Sequence, residues 1–296
     1  MKKKINFLVV GGDSLVGGGL IRALKRRGHQ FLSSTRRRET LNASRIYLDF
    51  ESVDEFRVPK GIDYVYVVAA ATNYERCEKD PMAHKTNVEL IPRLVALLLS
   101  QGVFVTFIST NSVFGGGRPW PQEDDPHAPG IPYAKQKHLA EAVVKEAACA
   151  IGAEHLLNIV RLTKILDLNT PPIPAWVSSW EKGEKVRPFA DLIFAPMSVQ
   201  FVGEALATLG ELKIPGCLHL SGAANVSYVD FASAVAQHLG VEQSLLAPTT
   251  ATERGVHIAF KPKFSGLGMQ KTTNLSGIKP QPLSAVILDI FNPVNI

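Results

Sequence analysis

Apolar residues gather along this chain in two ways. Mostly apolar runs over residues 5–10, 62–70, 103–108 and 156–162 have the length and composition of strands buried on both faces. Residues 18–27, 85–100, 133–148, 198–209 and 228–239 mix apolar and polar positions as helices do, with Gly28 and Gly240 as stops and Ser227 as a start. Shorter strands over 30–33 and 45–50 and a helix opening near Val53 complete the early part. Strands alternating with helices predict an α/β protein, a parallel sheet with helices on both faces. After residue 162 the pattern changes. Residues 167–175 are rich in proline, and Pro171-Pro172-Ile173-Pro174 is expected to lie outside helix and central strand. A short helix over 176–182 and a polar loop and edge over 183–191 follow. A strand and turn over 217–222, a Gly- and Pro-rich stretch over 261–282 and a last apolar segment over 283–291 close the chain. The division expected is a first unit over 1–165, joined by part of the later chain, and a smaller lobe built mainly from 166–296.

Composition changes this picture little. Of 296 residues, 46% are hydrophobic and 20% charged, the balance of a folded globular protein. The formal net charge is +5, but apart from Lys2-Lys3-Lys4 and Arg36-Arg37-Arg38 the positive residues are scattered. No basic stripe interleaves with aromatics, which argues against nucleic acid, while mild basicity suits anionic substrates. Cys77, Cys149 and Cys217 show no CxxC spacing, so neither a disulfide framework nor a zinc site is expected, and a reducing, cytoplasmic setting is. The start resembles a secretion signal, but its apolar run is short and ends in Gly11-Gly12, as a first strand would. No apolar run reaches the roughly 20 residues that span a membrane. Zinc-protease spacing of histidines and a Gly-x-Ser-x-Gly nucleophile turn are both missing. Glu123-Asp124-Asp125 and His127 read as a solvated or capping loop, and no metal is expected.

Two stretches carry candidate chemistry. The first is the loop Gly11-Gly12-Asp13-Ser14-Leu15-Val16-Gly17 between a strand and a helix. Residues without bulky side chains let the backbone turn tightly and approach a pyrophosphate, which the amides of the next helix receive. The following strand runs into Ser33-Ser34-Thr35-Arg36-Arg37. No carboxylate there repels a 2′-phosphate, and two guanidiniums can pair with it, so NADP(H) is expected ahead of NAD(H). The second stretch joins the end of an apolar strand, Ser109-Thr110-Asn111-Ser112, to Tyr133-Ala134-Lys135-Gln136-Lys137 at the front of a helix. Tyr133 and Lys137 share a helix face. A lysine beside a phenol is expected to lower its pKa, and a strand-end hydroxyl can hold a substrate oxygen while the tyrosine moves a proton.

At these residues the chain resembles the extended short-chain dehydrogenase/reductase family, and within it the dTDP-4-dehydrorhamnose reductase branch. The resemblance implies a Rossmann-type doubly wound sheet with a small substrate lobe, and a catalytic set on Thr110, Tyr133 and Lys137. The family's glycine spacing falls on Gly11, Ser14 and Gly17, with serine where the middle glycine stands. By the same resemblance Asp49 and Phe50 sit at the adenine, and Ala69, Ala70 and Thr72 let the cofactor lie against a strand end. Asn87 would support a water chain to Lys137. Asn111 and Ser112 would face the substrate, and Arg187 is the candidate diphosphate contact. The activity implied is NADP(H)-dependent reduction of a nucleotide-activated 4-keto-deoxysugar, with a homodimer as the family's assembly. Relatives that share the set include NAD-dependent epimerases and dehydratases. A non-catalytic, NADP-binding regulatory subunit of the same fold is the reading from outside enzymology.

Overall fold

A computed structural model describes residues 5–292; Lys2-Lys3-Lys4 lie outside the described residues. The strands in chain order are β1 (Asn6–Val10), β2 (Gln30–Thr35), β3 (Arg45–Tyr47), β4 (Tyr64–Val67), β5 (Phe104–Thr110), β6 (Leu157–Leu162), β7 (Lys164–Leu166), β8 (Ile193–Phe194), β9 (Pro196–Ser198), β10 (Gly216–Leu220) and β11 (Val226–Ser227). The helices are α1 (Leu15–Arg26), α2 (Tyr74–Lys79), α3 (Pro81–Lys85), α4 (Ile91–Ser100), α5 (Pro132–Ala150), α6 (Ile173–Glu181), α7 (Val199–Leu212), α8 (Tyr228–Leu239), α9 (Gln270–Ser276) and α10 (Leu283–Phe291). Seven strands form one parallel sheet in the order β10-β6-β5-β4-β1-β2-β3.

Period-two alternation divides the core between the two faces of this sheet. Phe7 and Val9 pack with Leu20 and Leu24 of α1 and Val202, Leu206 and Leu209 of α7. Leu8 and Val10 point the other way, onto Leu94 and Leu98 of α4 and Ala140 and Val144 of α5. With both faces covered, the strands read as continuous apolar runs, and each fully buried Leu or Phe contributes about 1.5–3 kcal/mol. A third core lies in the C-terminal lobe, where Trp176, Trp180, Phe194, Phe231, Val235 and Ile287 come together from α6, β8, α8 and α10. α7 and β10 return to the sheet, β10 as its edge beside β6.

Several predicted boundaries move for local reasons. α1 starts at Leu15 rather than residue 18, because Ser14 caps it. The third strand stops at Tyr47, and Asp49 caps a short 3-10 turn over Phe50–Glu55. α3 and α4 are joined by a π-helical turn, Thr86–Leu90. Ile173 and Pro174, expected outside any helix, open α6, since the first helical turn has no use for the missing proline N–H. No helix among the described residues is long and apolar enough to cross a membrane.

Between β1 and β4 the strand order reverses, and such a switch point leaves a crevice at the carboxyl ends of the strands. A cavity of about 1400 Å³ opens there, walled by the ends of β1, β2, β4, β5 and β6 and by the C-terminal lobe.

Candidate active site

The loop after β1 folds around Ser14. Its hydroxyl donates to the Gly11 carbonyl oxygen (2.8 Å) and accepts from the Gly17 amide (3.0 Å). Serine at the family's middle-glycine position therefore closes the loop, with an ordinary extended backbone at φ −79°. Gly17 has no such latitude: a Cβ there would lie 2.3 Å from the Gly11 carbonyl oxygen. Gly17 itself is buried, while Gly11, Ser14, Leu15 and Val16 line the cavity. The first turn of α1 carries no acidic residue, so its amides meet the cavity with their positive end undiminished.

Ser34, Thr35, Arg36 and Arg37 line the same wall. Among the described residues neither Arg36 nor Arg37 has a carboxylate in salt-bridge contact. Asp13, which sequence reasoning overlooked, also faces the cavity. Its carboxylate accepts from Thr35 Oγ1 (2.6 Å) and pairs with Arg45. The Thr35 hydrogen bond, ahead of an opposing effect of burial and helped by the charges of Arg45 and Arg37, holds its pKa below the usual carboxylate value. Asp49 and Phe50 stand on the cavity wall, as do Ala69, Ala70 and Thr72.

Asn87 lies elsewhere than expected. It is buried in the π turn, behind the wall, where its Oδ1 accepts from the Ala71 amide (2.9 Å). Its Nδ2 donates to the Ala71 carbonyl oxygen and to Gln136 Oε1 (both 2.8 Å). All of this capacity is spent on fixing the loop after β4 against α5, which is a positioning role.

Tyr133, Lys137 and Glu141 succeed one another along one face of α5. Tyr133 is 9% exposed and lines the cavity beside Thr110 and Asn111. Burial pushes its pKa up, the neighbouring Tyr74 phenol adds to this, and the nearby Thr110 hydroxyl works the other way. This corrects the expectation that Lys137 lowers it: the phenol is protonated at neutral pH. Lys137 is buried beneath the wall, its Nζ donating to the Ile108 carbonyl oxygen (2.6 Å) above the Phe107 ring (4.0 Å). Burial brings its pKa down to about 8, with Glu141 opposing.

Behind Thr110, Ser112 is buried, and the two hydroxyls are 3.1 Å apart. Ser112 therefore orients Thr110 and does not reach the cavity. Asn111 does, and its Nδ2 donates to the carbonyl oxygen (2.8 Å) and hydroxyl (3.0 Å) of Ser265, tying the C-terminal lobe to the end of β5. Arg187 is exposed and outside the cavity lining, held on an edge whose neighbours Val186 and Phe189 bridge to Leu246 and Thr249.

Sequence reasoning also missed the brace under the site. Glu141 accepts from Ser109 Oγ (2.5 Å) and from Arg161 Nε and Nη2 (3.0 and 2.7 Å). Arg161 in turn donates to the Glu123 carbonyl oxygen (2.8 Å) and to His219 Nε2 (3.2 Å). The signal was present: an arginine inside an apolar strand is buried only with a partner. No cluster of three or more His, Cys, Asp or Glu side chains able to hold a metal occurs among the described residues.

Comparison with known proteins identifies the family and the fold. The family model described as RmlD substrate binding domain matches residues 5–295. The spore coat polysaccharide biosynthesis protein SpsK of Bacillus subtilis is 26% identical over 278 residues, 93% of this chain and 92% of that protein. The probable low-salt glycan biosynthesis reductase Agl14 of Haloferax volcanii is 24% identical over 250 residues, covering 80% of this chain and 81% of its own. Among solved structures, dTDP-4-dehydrorhamnose reductase from Bacillus anthracis in complex with NADP superposes with a TM-score of 0.80 at 21% identity, over 98% of this chain and 99% of that one.

Proposed function

Because the chain belongs to the RmlD substrate binding domain family, we propose that it reduces the keto group of a nucleotide-activated 4-keto-deoxysugar, with NADP(H) as cofactor. The observation that carries this reading is the Thr110–Tyr133 pair on the wall of the cavity, with Lys137 buried beneath it. The residues present fit NADP. The amide end of α1 and the small residues Ala69 and Ala70 leave space for a dinucleotide, and Arg36 and Arg37 are free to pair with a 2′-phosphate. Asp49 and Phe50 would border the adenine, and Thr72 the middle of the cofactor.

The hydride is supplied by the reduced nicotinamide when the cofactor is bound. Tyr133, protonated because burial holds its pKa up, gives its proton to the oxygen of the ketone. Thr110, beside that phenol on the cavity wall, holds the same oxygen. Lys137 is a cation buried under the wall up to about pH 8, and the family resemblance gives it the role of holding the nicotinamide ribose. Ser112 fixes the Thr110 rotamer, and Asn111 keeps the lobe carrying Ser265 closed on the strand end. An epimerase or dehydratase working with NAD has the same three residues, and the unpaired Arg36 and Arg37 favour the NADP-dependent reductase over it. A binding subunit would not need Thr110 and Tyr133 side by side on the cavity wall.

A fluorescence titration with NADPH and NADH in parallel tests the cofactor assignment. Two charge-assisted contacts are together worth a few kcal/mol, so NADPH should bind at least about tenfold tighter than NADH. Arg36→Ala with Arg37→Ala should remove the difference while leaving NADH affinity unchanged. Equal binding of the two cofactors by the unaltered protein sinks the assignment.

A further inference from the structure

The cavity wall between residues 162 and 265 is almost wholly apolar or aromatic, with Ile193, Phe194, Tyr228 and Phe260 among its members. Lys164 is its one charged residue among the described residues. It opens β7, two positions beyond Leu162, and Leu162 pairs with Thr110 across the sheet. At about 3.3 Å of rise per residue, Lys164 stands only some 7 Å along the chain from the level of Thr110. Its side chain is open to the cavity and has no carboxylate partner among the described residues. Desolvation by the surrounding wall lowers its pKa, with no neighbouring charge acting against it. The other cations of the cavity are placed differently. Arg36 and Arg37 lie at the end of β2, and Arg76 is paired with Asp80. Arg187, the cation expected from sequence to meet the substrate, is outside the cavity.

A lone ammonium on an otherwise apolar wall, open to the cavity and without a carboxylate of the protein, is placed to receive an anion that enters there. We propose that Lys164 is the anion contact of the substrate site, binding a negatively charged oxygen of the substrate. This rests on the reading of the cavity as a sugar-nucleotide site. Two parts of such a substrate present that chemistry, the diphosphate and a carboxylate on an acidic sugar.

Calorimetric titration of the NADPH-loaded protein separates them. The probes are dTDP and UDP against thymidine and uridine, and UDP-glucuronic acid against UDP-glucose. If the diphosphate is the partner, Lys164→Met weakens dTDP or UDP by at least about tenfold and leaves the nucleosides unaffected. If the carboxylate is the partner, the same loss falls on UDP-glucuronic acid alone. Lys164→Arg keeps most of the affinity in either case, since the charge is retained. Unchanged affinity of Lys164→Met for every probe overturns the proposal, and so does a loss confined to NADPH. These titrations need no turnover, so they stand apart from the reductase reading, which fails separately if NADPH is never consumed.

Discussion

Replacing Tyr133 with phenylalanine should lower the turnover of NADPH-dependent reduction by about a hundredfold to ten-thousandfold, the range that a positioned general acid supplies. NADPH affinity should stay as it is, because the ring remains to pack against Tyr74, 5.5 Å away between centroids. Only the proton donor is removed. The same mechanism fixes the pH profile of the unaltered enzyme. Lys137 is charged below its pKa of about 8 and neutral above it. Tyr133 holds its proton past its ordinary value of 10. Turnover should therefore be level through neutral pH and fall as pH rises through about 8, with the slope of one proton. Turnover retained by Tyr133→Phe would contradict the assignment of the acid. A profile flat to pH 10 would contradict the role of Lys137.

The second large effect is on stability. Arg161→Met leaves Glu141 ionised with its main partner gone, and both side chains are within 2% of full burial. Breaking such a pair from one side costs about 3–5 kcal/mol. The urea midpoint should fall accordingly with an unchanged slope. Converting both partners to apolar residues, Glu141→Leu with Arg161→Met, should recover much of the loss, because no charge is then left stranded. Burial pushes the Glu141 carboxyl up, but its hydrogen bond and charge contact with Arg161, helped by Ser109, more than offset this and hold it below 4.5. Its folded pKa is depressed, so the contribution is complete above the unfolded value and drains away as pH falls through the folded one. His219 adds to the same acid loss, because the unfolded imidazole takes up a proton that the folded one refuses. Burial drives its pKa down to about 3, and the hydrogen bond from its Nδ1 to the Gly268 carbonyl oxygen leaves Nε2 to accept from Arg161. A single variant within about 1 kcal/mol of the parent would remove the brace from the account.

The parts of the fold and site that were legible in sequence are those set by neighbours along the chain. β1, β4, β5 and β6 announced themselves because burial on both faces demands mostly apolar runs. Tyr133 and Lys137 were legible as an i, i+4 pair, and the loop of Gly11 and Gly17 from its place between strand and helix. Contacts across long sequence separations were not legible. The positions of Glu141 and Arg161 do not reveal that they meet, and nothing near Asn87 says that its amide is spent on Ala71 and Gln136. Arg187 was a candidate by family resemblance, and the structure leaves it exposed on an edge outside the cavity lining. Lys164 was passed over because the strand β7 that presents it is three residues long and follows β6 almost without a break.

The central claim is hydride transfer to a sugar ketone with Tyr133 as acid. Its most direct test is to incubate the protein with a dTDP-4-keto-6-deoxyhexose and NADPH deuterated at C4 of the nicotinamide. The product is then read by mass spectrometry and NMR. The account predicts one deuterium on the new carbinol carbon, one NADPH consumed per product, and neither event with Tyr133→Phe. A product without deuterium, or deuterium transfer undiminished in Tyr133→Phe, would contradict it.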